Sequence, residues 1–209
     1  MSIDGTEHHD PLTHALGLLR GHTTGTLLVD GTPTPVLYIV DPRAGSLVLG
    51  VEHEMFEGDD IVMVVPEDSF DAPLRVSLML DEEPEGEATD RFMAYHMRQP
   101  LPVWARGSIS FVKVDSGSVV SQEQIEAPNL LIDALPGLCR RLNSDRDALR
   151  EVCKLLAKVD IEDPIAVGID DLGFDVRARF GVVRVEMPSP IGSAQEAEDV
   201  IAALFGGVS

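Results

Sequence analysis

Short apolar runs bounded by turn residues dominate the first half of the chain. TTGTLLV (residues 23–29), TPVLYIV (34–40) and SLVLGV (46–51) alternate with DGTP and DPRAG, which predicts strands joined by tight turns. Asp30-Gly31 between two β-rich runs is a strong hairpin signal. DIVMVVP (60–66), PLRVSLML (73–80) and PVWARGSISFVKV (102–114) extend the series. Before it, Pro11 near a helix start and Leu12, Ala15, Leu16 and Leu19 on one face predict a helix ended by Gly21. DEEPEGEATD reads as a charged loop, and ATDRFMAYHM (88–97) as a helix. A β-rich series with few helices predicts a small antiparallel barrel.

GSVVSQEQIEAP (117–128) shifts the composition and marks a boundary. Residues 1–10 are expected to be a loose tail, 11–120 a barrel domain and 121–209 a C-terminal α/β domain. In the latter, Ser144 as cap and Asp147 in the first turn open a helix. Leu149, Val152, Cys153, Leu156 and Val159 form its apolar stripe. PIAVGID, GFDVRARF and VVRVEM predict three short strands, and Ser193 with Glu196 a capping box before a closing helix.

Charge narrows the function. With 36 acids against 16 bases the net charge is -20, which argues against nucleic acid and anionic membranes as partners. An acidic face of this kind suits water or a basic protein partner. No apolar run approaches the roughly 20 residues that span a bilayer, and MSIDGTEHHD lacks a signal peptide's basic start. The expected location is the cytoplasm.

Cys139 and Cys153 have no metal or redox spacing, and Cys153 is expected as a buried thiol. No Gly-x-Ser-x-Gly, dinucleotide fingerprint or phosphate loop occurs. His8, His9, Asp10 and His14 could collect a divalent metal, or simply lie in and beside a polar tail.

The order RLNSDRDAL, GIDDLGFDV, VVRVEMPSPI, SAQEAEDVIAAL is similar to the haem-utilisation (HugZ-like) branch of the FMN-binding split-barrel superfamily. The matching positions are Asn143, Asp145, Asp170, Gly173-Phe174-Asp175, Arg184, Pro188 and Pro190, within residues 136–205. The resemblance implies an α+β fold, an antiparallel split β-barrel with a small C-terminal α/β domain. It also implies a homodimer with haem or flavin near its interface.

Two departures weigh on the cofactor. Arg146 stands where the family has a histidine; a guanidinium cannot bind iron but could hold a propionate, or pair with Asp147 or Glu151. Where flavin-binding members clamp a phosphate, this chain has Glu52, Glu54, Glu57, Asp59 and Asp60, which disfavour FMN. Arg75 is the one base on a nearby strand.

Haem is therefore the favoured cofactor, with His96 or His53 as axial ligand. Arg98 beside His96 is a candidate propionate partner, and Trp104 and Arg106 could line the cleft between two copies. The rival readings are a flavin oxidoreductase and a cofactor-free interaction protein that kept the scaffold.

Overall fold

The computed structural model describes residues 10–66, 73–97, 103–114 and 117–208. Tail residues His8 and His9, and Arg98, lie outside these. Helix α1 (Pro11–Gly21) begins as its sequence requires, with the Asp10 carboxylate accepting from the Thr13 amide at 3.1 Å and Pro11 in the first turn. Strands β1 (Thr24–Val29) and β2 (Thr32–Val40) pair through a two-residue turn. Asp30 and Gly31 both take positive φ there, 49° and 82°, as a hairpin following the sheet's twist demands.

β3 (Leu47–Val51), β4 (Ile61–Val65), β5 (Leu74–Glu82), β6 (Val103–Val114) and β7 (Val119–Ser121) complete an antiparallel sheet in the order β3-β2-β1-β4-β5-β6-β7. β3 also pairs with β6, so six strands close into a barrel and β7 extends it. Alternation sends Leu27, Tyr38, Leu49, Met63, Val76, Leu78 and Ile109 inward, where each is at most 5% exposed. α1 seals one end: Ala15 and Leu19 enter this core, and the Tyr38 hydroxyl donates to the Leu19 carbonyl at 2.9 Å.

The acidic segment after β3 forms a turn of 3-10 helix, His53–Glu57, where the sequence pattern suggested no element. α2 (Glu87–His96) lies outside the barrel, with Phe92 fully buried against Ile39 and Val48. GSVVSQEQIEAP, expected as a boundary, makes β7 and a short helix α3 (Gln122–Ile125), and Val120 and Ile125 enter the barrel core.

The C-terminal part has its own core. α4 (Leu135–Leu142), α5 (Arg146–Val152) and α6 (Ala194–Gly206) pack on an antiparallel sheet ordered β10-β9-β8. Its strands are β8 (Ile165–Ile169), β9 (Gly173–Ala178) and β10 (Gly181–Glu186). Asp145, not Ser144, caps α5 by accepting from the Ala148 amide at 2.9 Å. Ser144 instead donates to the Arg141 carbonyl, because the chain turns one residue later than the cap pattern suggests. α5 continues through a π-helical turn, Cys153–Ala157. Ser193 caps α6 as expected. The architecture is α+β: a closed antiparallel barrel followed by a small sheet-and-helix unit.

Candidate functional site

Two regions gather polar chemistry. The first is a cleft of about 50 Å³ where α1, the end of β2, α2 and the C-terminal sheet converge. Its floor is a buried charge cluster. Arg184 of β10 donates to Asp175 of β9 at 3.2 Å and to Asp170, in the β8–β9 turn, at 2.5 Å. Arg20, at the end of α1, reaches Asp171 at 2.8 Å and lies 3.8 Å from Asp170. From α2, the Tyr95 hydroxyl donates to the other Asp175 oxygen at 2.7 Å.

Two glycines make room for the cluster. A Cβ at Gly168 would run into the Tyr95 oxygen, and one at Gly173 would run into the Val185 carbonyl oxygen, with the Arg184 guanidinium 3.0 Å away. Asp170 also caps its own turn, accepting from the Leu172 and Gly173 amides.

Burial sets the proton affinities. It raises the Asp175 carboxyl above its ordinary range, and the nearby Asp170 charge adds to the effect, against the pull of Arg184. Burial also acts to raise Asp170, but Arg184 and Arg20 overcome it and hold that carboxyl low. Tyr95 is raised by burial and by the Asp175 charge. Burial lowers His22 on the cleft wall. The cluster satisfies itself, since no buried side-chain polar atom among the described residues lacks a partner.

The second region is the barrel's outer face. Cross-strand rows run Thr26, Val64, Arg75, Lys113, Val119 and Leu28, Val62, Ser77, Phe111, Ser121, from β1 to β7. Met79 stands opposite Ser108 beside them. Met79, Phe111 and Val119 are 61%, 46% and 62% exposed. Arg75 and Lys113 face each other directly, and neither has a carboxylate within ion-pair distance among the described residues. Opposed like charges are unfavourable on a sheet. An unneutralised pair is conspicuous in a chain of charge -20.

The residues singled out by sequence are scattered over the molecule. The His96 ring lies 3.1 Å from the Tyr38 carbonyl oxygen and packs on Phe92 at 4.4 Å. Trp104 meets the same Phe92 edge-on at 5.0 Å. Arg106 gives its donors to Glu83, Asp41 and Ser46 at 2.6–2.9 Å. Arg146 pairs with Asp163 at 2.6 Å rather than with Asp147 or Glu151, because the β8 approach brings that acid to the helix start. His53 is open to solvent, 4.0 Å from Glu82 at the end of β5.

His96 and Trp104 meet at Phe92 and Arg106 shares β6 with Trp104, while His53 and Arg75 stand at opposite ends of β5. Among the ligand types suited to haem iron, His53 and Met79 are therefore the accessible ones near the outer face. Both cysteines are free thiols pushed up to about 11 by burial.

Sequence reasoning singled out Asp170, Asp175 and Arg184 but missed Tyr95 and Arg20, which arrive from distant segments. Asn143 closes α4 at its C-terminal end. Its side-chain amide both donates to and accepts from the Ala166 backbone at 2.9 Å, fastening the end of α4 to β8.

The fold defines the chain as an α+β protein built on a closed antiparallel barrel. Its likeness to the Agrobacterium tumefaciens protein Atu2129, of unknown function, shows the same fold: TM-score 0.72 at 16% identity, over 97% of this chain and 98% of that one. A heme binding protein from Mycobacterium smegmatis aligns with TM-score 0.40 at 21% identity, over 96% of this chain and 98% of that one. No family model matches the chain, and no curated protein matches it. Among the described residues no helix is long and apolar enough to cross a membrane, and no cluster of His, Cys, Asp and Glu could hold a metal ion.

Proposed function

We propose that this chain is a HugZ-like split-barrel protein that binds haem or a related tetrapyrrole between two copies of itself. The observation that carries the reading is the outer face, where exposed Met79, Phe111 and Val119 adjoin the unneutralised Arg75 and Lys113. A flat apolar body bearing carboxylates needs that pairing of surfaces. The cleft beneath Tyr95 does not suit it, being far below the several hundred Å³ that ligand pockets usually occupy. His53 and Arg75 remain in the proposed site, and FMN is disfavoured by the acids from Glu52 to Asp60.

The reading keeps a barrel over 11–120 and a C-terminal domain over 121–209 as working divisions. Stoichiometric uptake of hemin with a sharpened Soret band, one per chain or per dimer, is the expected result of titration. A flat spectrum with no saturable uptake would overturn it.

A second reading is a cofactor-free interaction protein, favoured by the commitment of His96, Arg106 and Arg146 to partners within the chain. It expects a basic protein partner whose binding weakens with salt.

A further inference from the structure

We propose that the outer face of β5 orients the tetrapyrrole, with Arg75 and Lys113 holding its carboxylates and the Met79 thioether reaching its metal. This rests on the tetrapyrrole reading and deepens it. The argument begins with the strand. Arg75, Ser77 and Met79 point outward while Leu74, Val76 and Leu78 enter the core. Arg75 and Met79 are four residues apart, on the order of 13 Å along an extended strand. That separation suits a ring centred over Met79 with its carboxylates at the Arg75 end.

Charge gives the direction. β5 is basic at one end, where Arg75 opposes Lys113, and acidic at the other, where Asp81 and Glu82 follow Met79. The acidic 3-10 turn His53–Glu57 stands at the acidic end, with His53 against Glu82. A dianion laid along the strand is attracted at one end and repelled at the other, so one orientation is favoured. The two cations lie side by side, and among the described residues neither has a carboxylate within ion-pair distance, so neither must break such a pair to receive a ligand carboxylate.

Chemistry selects the metal's ligand. His96 would have to leave the Tyr38 carbonyl and its packing on Phe92 before it could bind iron. Met79 is 61% exposed and already on the apolar part of the face, between the basic end and the rim. A thioether is a soft ligand used by haem proteins. Neighbouring Phe111 and Val62 supply the apolar surface on which a ring can lie.

The test uses the full chain and three probes: hemin, hemin dimethyl ester and metal-free protoporphyrin. Met79→Leu keeps the volume and removes the sulfur. It is expected to abolish the far-red absorption of a thioether–iron bond and weaken hemin binding roughly tenfold, leaving protoporphyrin binding unchanged. The Arg75→Glu/Lys113→Glu pair is expected to weaken hemin and protoporphyrin at least roughly tenfold and the ester little. Circular dichroism of both variants checks that they fold.

Hemin uptake unchanged in both variants, or lost only in His96→Ala, would overturn this orientation while leaving the tetrapyrrole reading intact. Failure of the wild-type chain to take up hemin or protoporphyrin would overturn both.

Discussion

The cluster beneath Tyr95 and the outer face of β5 hold similar residues in opposite states. In the cluster, Arg184 and Arg20 meet Asp170, Asp171 and Asp175, and every polar atom is satisfied within the chain. On the outer face, Arg75 and Lys113 meet each other. Charges buried with their partners hold elements together; charges exposed without partners are free to bind. The cluster draws on α1, α2 and the C-terminal sheet, so it serves as a joint, whereas the face draws on the barrel alone.

The largest expected effect comes from breaking the joint. Arg184→Met leaves Asp170 and Asp175 buried without their shared cation, which should cost about 3–5 kcal/mol by urea denaturation. A loss below about 1 kcal/mol would mean that the cluster is more hydrated than its burial implies. Gly168→Ala tests the same joint sterically, since the added methyl would overlap the Tyr95 oxygen. Displacing Tyr95 should cost about 1–3 kcal/mol, and Gly168→Ala/Tyr95→Ala should cost less than the two single changes summed.

A pH profile sharpens the comparison. Asp175 is raised in the folded chain, so its contribution is present below its unfolded value and fades as pH rises through its folded value. Asp170 is lowered, so its contribution is present above its unfolded value and fades as pH falls through its folded value. Asp175→Asn should therefore remove the decline that begins as pH rises above the ordinary carboxylate range and keep the loss at lower pH. An unchanged profile above the ordinary carboxylate range in that variant would refute the burial of Asp175's charge.

The smallest effect belongs to the outer face. Lys113→Glu should change stability by no more than about half a kcal/mol, and in the favourable direction, by relieving the opposed charges. A large loss would show that the face is already part of a packed interface.

The contrast also separates what is legible locally from what is not. Alternation and turn residues were enough to place the barrel strands, because a side-chain period of two and an Asp-Gly turn are local properties. NSDRD announced a helix start correctly but not its cap, since Ser144 and Asp145 compete for one role and the path of the chain chooses Asp145. His96 looked available beside Tyr95 and Met97, yet the Tyr38 carbonyl 58 positions away takes its ring nitrogen. The acidic run after β3 held a 3-10 turn that no periodicity signals.

The sequence by itself determined most strands, the main helices and the charge imbalance, while Asp170, Asp175 and Arg184 stood out only through the family resemblance. The strands, helices and charge follow from local sterics, hydrophobic period and composition. Tertiary structure alone decided that Tyr95 and Arg20 join that set, that Gly168 must lack a side chain, and that Arg75 faces Lys113. Each depends on where distant segments meet, which is fixed by closure of the barrel and by the packing of α1 and α2 against the C-terminal sheet.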